Sequence, residues 1–155
     1  MSDLYRLIVD SLGKPIEDPG IQLLNEEIGE PAFIESGLEL AYHRFFKSGI
    51  KFLYVHGKRL WVAEFFLESE NHEQGTYEPY VGTLPYDLNA RDCMRSVEDK
   101  LKDLSIDYST ESDWLTIRSA STIVSLNFDK QTGNLAFLSV RCTPEYLTQL
   151  GFPGG

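Results

Sequence analysis

The sequence predicts an α+β fold. Two tandem units, each a helix followed by a three-stranded antiparallel meander, should form a mostly antiparallel sheet with the helices on one face. Three observations lead there. Apolar residues keep helical spacing up to Ile28 and then switch to alternation from Leu38 onward. The same order, a capped apolar stripe followed by alternating runs, returns after Asn89. The links inside each run are short and contain glycine, as in Ser48-Gly49 and Gly133-Asn134, which suits antiparallel neighbours.

Taken in order, Ser2 can cap a helix over residues 3–12, with Leu4, Ile8 and Leu12 on one face and Gly13 and Pro15 as its stop. Asp18 followed by Pro19 reads as an N-cap and first helical position, and Ile21, Leu24 and Ile28 share a face until Gly29 and Pro31 end the helix. Leu38 to Tyr42, Ile50 to Tyr54 and Leu60 to Leu67 then alternate as half-buried strands, the last two joined by a turn at His56-Gly57-Lys58-Arg59. Residues 68–86 are polar, interrupted by Gly75, Pro79, Gly82 and Pro85, and read as a long loop of the kind that often carries function.

Asn89 is expected to cap the next helix, with Asp92 completing a capping box and Met94, Val97, Leu101 and Leu104 forming its apolar stripe. Strands over 113–117, 122–128 and 135–141 follow, the last two joined by the turn Asp129 to Asn134. Thr143-Pro144-Glu145 opens a final short helix to Leu150, and Gly151 to Gly155 reads as a frayed end.

Laid side by side, Leu24 and Ile28 match Val97 and Leu101; Ile50, Phe52 and Tyr54 match Val124, Leu126 and Phe128; and Leu60, Val62 and Phe65 match Leu135, Phe137 and Val140. The expectation is one domain over 1–155, with pseudo-repeat halves at about 14–68 and 87–142 joined by a loop over 69–86. Two ordinary helix-plus-meander units would give the same pattern without a repeat. Neither half could bury its sheet face alone, so the two should share a sheet or pack together.

Charge narrows the partner. With 24 acidic and 14 basic residues the chain carries a net charge of -10, which opposes nucleic acid and anionic membranes and favours a basic protein. Seven acids and no Lys or Arg lie between Pro15 and His43, and six acids with none between Trp61 and Ala90. Such runs form either a negative binding face or plain solvated surface. Cys93 and Cys142 belong to no metal or redox spacing, and charges interrupt the N-terminal apolar stretch, so a reducing cytoplasm is expected.

Chemistry finds little purchase. His43, His56 and His72 have no ligand spacing, and Glu68, Glu70, His72 and Glu73 lack the glycine that a calcium loop needs for its sharp turn. Neither a Gly-x-Ser-x-Gly elbow nor a glycine-rich phosphate loop is present. No enzyme activity, metal or cofactor is therefore expected.

The tandem helix-then-meander order resembles the beta-lactamase inhibitor protein fold and related small outer-membrane lipoprotein domains. More locally, Leu12-Gly-Lys-Pro15, the Lys47-Ser-Gly-Ile50 turn, and Tyr80-Val-Gly-Thr-Leu-Pro85 followed by Asp87-Leu-Asn-Ala-Arg-Asp-Cys93 are similar to a family of small bacterial immunity proteins from polymorphic-toxin systems. That family usually has Gly-Leu after Leu-Pro-Tyr and Leu-Gly-x-Pro ending the next helix. Here Asp87-Leu88 and Leu104-Ser105-Ile106 stand instead. The resemblance implies a cytoplasmic protein that binds and inhibits a cognate protein toxin, a basic nuclease being the kind that this acidity suits.

The residues expected to meet that partner are Glu64, Glu68, Glu70, Glu73, Tyr77, Glu78, Tyr80 and Asp87, where tyrosine area and carboxylate charge coincide. Tyr77→Ala together with Glu78→Lys should then weaken binding and leave the fold intact. A structural role for the tyrosines of this loop is the alternative, in which they pin the crossover onto the core; for Tyr80 and Tyr86, each near a proline, it has at least equal weight. The alternative function is a small-ligand or assembly module that uses the concave sheet.

Overall fold

The computed structural model describes residues 3–55 and 59–150. It is an α+β fold built on one eight-stranded antiparallel sheet. After α1 (Leu4–Ser11) and α2 (Pro19–Ile28) come β1 (Phe33–Ser36), β2 (Leu40–Phe45), β3 (Ile50–Val55) and β4 (Arg59–Phe66). A hairpin of β5 (Glu70–His72) and β6 (Gly75–Tyr77) and a 3-10 turn at Pro85–Asp87 fill the long loop. Then α3 (Met94–Asp103), β7 (Ser109–Glu111), β8 (Trp114–Arg118), β9 (Thr122–Phe128), β10 (Leu135–Cys142) and α4 (Pro144–Gln149) complete the chain.

The strand order, β1-β2-β3-β4-β10-β9-β8-β7, places the last strand of each run of four at the centre. There Phe65 faces Leu138 and Ala63 faces Val140 across the β4–β10 pair. Each run is preceded by a ten-residue helix. The sheet is thus wider than the six strands expected, because β1 and β7 add an edge to each side. Both edges are short, and neither Phe-Ile-Glu-Ser nor Ser-Thr-Glu gives a clear apolar alternation.

Side-chain alternation gives the sheet two different faces. On one, Phe52, Tyr54, Leu60, Phe65, Leu115, Leu126, Leu138 and Val140 join Ile8, Ile21, Leu24, Val97 and Leu101 of the helices in one buried cluster. The cap expected at Ser2 falls outside the described residues; Asp3 accepts from Arg6 N at 3.0 Å instead. The turn at His56-Gly57-Lys58 and the end at 151–155 also lie outside them. Asp18 caps α2 through Gly20 N at 2.8 Å, and Gly29 closes it with φ 77°.

The helix expected from Asn89 begins later. Asn89 Oδ1 accepts from Arg91 N at 2.9 Å, so its side chain makes a turn rather than a helix start. Cys93, in extended conformation, is the N-cap residue; Ser96 Oγ accepts from its amide at 2.9 Å and donates to Asp92 Oδ1 at 2.8 Å. Asp92 is buried, accepts from Asn89 N, and pairs with Lys100 at 2.8 Å. Burial of Asp92 would by itself raise its pKa, but these donors together hold it below the usual carboxylate value. Of the predicted stripe, Val97 and Leu101 are buried, Met94 packs at the margin of the core, and Leu104 is exposed at the C-cap.

Candidate partner-binding groove

The face of the sheet away from the helices carries Tyr42, Arg44, Lys51, Glu64 and Phe66 on its first half, and Phe137, Ser125, Asn127, Trp114 and Thr116 on its second. The β5–β6 hairpin lies over the first of these. Tyr77, at its end, stacks on Phe66 with centroids 4.1 Å apart and an interplanar angle of 19°, and sits 4.7 Å from Phe46. Arg44 Nη1 donates to the Tyr77 hydroxyl at 2.9 Å, and Arg44 Nε donates to Glu35 at 2.6 Å. His72 completes the attachment, 3.9 Å from the same Glu35 oxygen.

After Tyr77 the chain crosses to the helix side. Glu78 N donates to Phe46 O at 2.8 Å and Tyr80 N to Phe66 O at 2.7 Å, past the turn between β2 and β3. Tyr80 then packs on Phe65 at 4.8 Å inside the core and donates its hydroxyl to Thr83 O at 2.8 Å; burial pushes its pKa up to about 12. Tyr77 is 2% exposed and Tyr80 5%. Of the two roles open to these rings, the structure shows the pinning one, and neither presents a surface to a partner.

The hairpin covers one half of the outer face and leaves the other open. A groove of about 1180 Å³ runs over β8, β9 and β10, bounded by Glu68, Glu70 and Phe66 on the hairpin side and by Ser109, Thr110 and Glu111 of edge strand β7 on the other. Its concavity has a simple cause. Thr116 and Ser125 pair across β8 and β9, and such small side chains leave the floor low between taller neighbours. Trp114 and Phe137 form the aromatic part, edge to face at 6.1 Å and 81°, and Trp114 is 43% exposed. Among the described residues, those around them are Glu68, Glu70, Glu111, Asp113 and Asp129, against one cation, Lys130.

At one end the carboxyl groups of Glu68 and Asp129 lie beside each other, where a proton on Glu68 can bridge them. Asp129 accepts from the amides of Gln131 at 2.7 Å and Thr132 at 2.9 Å, which hold its pKa low. Partial burial, and then the bond to Asp129, raise that of Glu68. Ionised Glu68 therefore opposes folding at neutral pH, and that cost disappears at low pH, where it is protonated in folded and unfolded chains alike. Glu68→Gln is expected to stabilise the protein at neutral pH by less than about 1 kcal/mol, since solvent screens most of the repulsion. Denaturant midpoints measured down through the carboxylate range should show the gain closing; a gain that persists in acid would contradict the bridging proton.

The other expected site residues are dispersed. Glu64 is half-buried and pairs with Lys51 at 3.1 Å beneath the hairpin. Glu73 and Glu78 are exposed on the hairpin and the crossover. Asp87 is also exposed, with its carbonyl accepting from Lys100 Nζ at 2.6 Å, beside the base of α3. Only Glu68 and Glu70 line the groove. Trp114, Phe137, Asp113 and Asp129 were not among the expected site residues, although the period of two in β8 and β10 does place Trp114 with Thr116, and Phe137 with Ser139, on the face away from Leu115 and Leu138.

Among the described residues no group of three His, Cys, Asp or Glu is placed to hold a metal ion, and no helix is long and apolar enough to cross a membrane. No family model and no curated protein matches the chain. A solved structure, described as an extracellular protein containing a SCP domain from Bacillus anthracis str. Ames, is similar with a TM-score of 0.56 at 13% identity. The match covers 86% of this chain and 44% of that one, so this chain spans less than half of its length. The likeness is one of fold.

Proposed function

We propose that this protein works by binding, as an immunity-type inhibitor that holds a basic bacterial toxin in the cytoplasm and blocks it by steric and electrostatic means. A nuclease is the class of toxin proposed, because a surface that grips phosphates is basic and would meet this one with opposite charge. The observation that carries the reading is the groove: among the described residues, five carboxylates and one lysine stand around an exposed tryptophan, on a part of the sheet face that no other described element covers. Exposed aromatic area supplies contact energy, and unbalanced charge supplies steering.

Co-expression with the product of the neighbouring gene tests it. A stable complex is expected, with protection from toxicity and an association rate that falls by about tenfold or more between low and physiological salt. Failure to form a complex or to protect would sink the proposal. The volume of the groove also suits a small ligand, which is the second reading. A metabolite that raises the melting temperature strongly, in the absence of any protein partner, would favour it.

A further inference from the structure

We infer that the groove over β8, β9 and β10 reads arginine: its occupant is an arginine-rich segment of a protein partner, with one guanidinium laid against Trp114. The inference rests on the binding reading above and names the chemistry of its contact. A guanidinium is planar, weakly hydrated and stacks on an indole face, and its five N–H groups need several acceptors spread in a plane. An ammonium is compact and strongly hydrated and gains less from a ring.

The groove supplies what the first needs. Trp114 is held by Phe137 at 6.1 Å and 81°, so its exposed area is fixed in place before any partner arrives. Acceptors line the same groove: the carboxylates of Glu70, Glu111 and Asp113, and the hydroxyl or amide oxygens of Ser125 and Asn127. The chain already shows the pull of this rim on a cation. Lys130, on the turn between β9 and β10, brings Nζ within 3.6 Å of Asp113 although its side chain is 83% exposed. So loose a pair leaves the place open to a better-fitting cation, and a chain of net charge -10 attracts one from a distance.

Calorimetric titration of the full chain at low salt, with acetylated tetra-arginine amide and tetra-lysine amide as probes, tests it. Tetra-arginine is expected to bind about tenfold more tightly than tetra-lysine. Trp114→Leu and Asp113→Asn should each weaken it by about tenfold, and Lys130→Gln should strengthen it by removing the internal competitor. Asp113→Asn keeps the size of the side chain, so it remains decisive if the tryptophan variant proves unstable.

Equal affinity for the two peptides, or binding indifferent to Trp114→Leu and Asp113→Asn, would overturn the inference in favour of diffuse attraction to an acidic surface. The two proposals fail separately. Selective arginine binding with no capture of the neighbouring gene product removes the toxin reading and keeps the groove. A captured partner whose affinity is untouched by the groove substitutions does the reverse.

Discussion

Tyr77→Ala is expected to destabilise the protein by about 3 to 5 kcal/mol, the range for emptying a buried aromatic site. Three contacts converge on this ring. It stacks on Phe66 at 4.1 Å, meets Phe46 at 4.7 Å, and takes a hydrogen bond from Arg44 at 2.9 Å. Arg44 is itself only 8% exposed, so losing the hydroxyl leaves a buried guanidinium with fewer acceptors. Tyr77→Phe isolates that part. It keeps the stack, removes the acceptor, and should cost about 1.5 to 3 kcal/mol, the range for hydrogen bonds to charged groups. Urea unfolding measures both, and the midpoint should fall with little change in slope. An alanine variant as stable as the parent would mean that the hairpin is not held by this ring. The expectation drawn from sequence, that Tyr77→Ala with Glu78→Lys would leave the fold intact, includes the substitution that this measurement addresses.

That expectation shows where sequence reading stopped. The helices at Leu4–Ser11 and Pro19–Ile28 and five of the six inner strands were legible because each has a period and a boundary: Asp18 before Pro19, Gly29 after Ile28, Gly133 in the last hairpin. In β2 the period was read with its faces exchanged, since Leu38 and Leu40 are exposed while Ala41, His43 and Phe45 are buried. Pairing was less so. The position of β4 beside β10 follows from no local signal, since both strands alternate in the same way and their partnership joins residues such as Phe65 and Leu138 across the whole second half of the chain.

The polar loop misled for a physical reason. Glu70, Asn71, Thr76 and Glu78 are exposed and set its composition, but Tyr77 among them lies in a pocket assembled from β2 and β4. Acidity did indicate that Glu68 and Glu70 belong to a charged surface. It could not indicate that the ring beside them would be Trp114, because that juxtaposition depends on the bulged pairing of β9 with β10 and on where the hairpin ends.

The crossover that sets the end of the hairpin yields the other large expected effect. Gly49 sits in the β2–β3 turn at φ 69°, a left-handed conformation that costs an L-residue about 1 to 2 kcal/mol. In addition, the backbone of residues 78–80 passes directly over it. A Cβ at this position would overlap Glu78 O, lie 2.7 Å from Tyr80 N and 3.1 Å from Phe66 O. These are backbone atoms, held by the bonds from Glu78 N to Phe46 O, Tyr80 N to Phe66 O and Phe66 N to Gly49 O, and they cannot rotate away. Overpacking of this kind costs about 1 to 3 kcal/mol more, so Gly49→Ala should destabilise by about 2 to 5 kcal/mol in all.

Gly133→Ala is the control. It has the same sign of φ, 77°, with nothing within 4 Å of an added Cβ, and should cost only the conformational part. Equal losses in the two variants would show that the crossover does not bear on Gly49. If the difference is found, amide exchange should quicken at Glu78 and Tyr80 in the Gly49 variant before it does in the central strands, because the bonds broken first are those of the crossover. The groove should suffer with it. Glu68 and Glu70 are held against Phe66 by a hairpin whose far end is this crossing, so a chain that can no longer lie over Gly49 also loses the wall that faces Trp114.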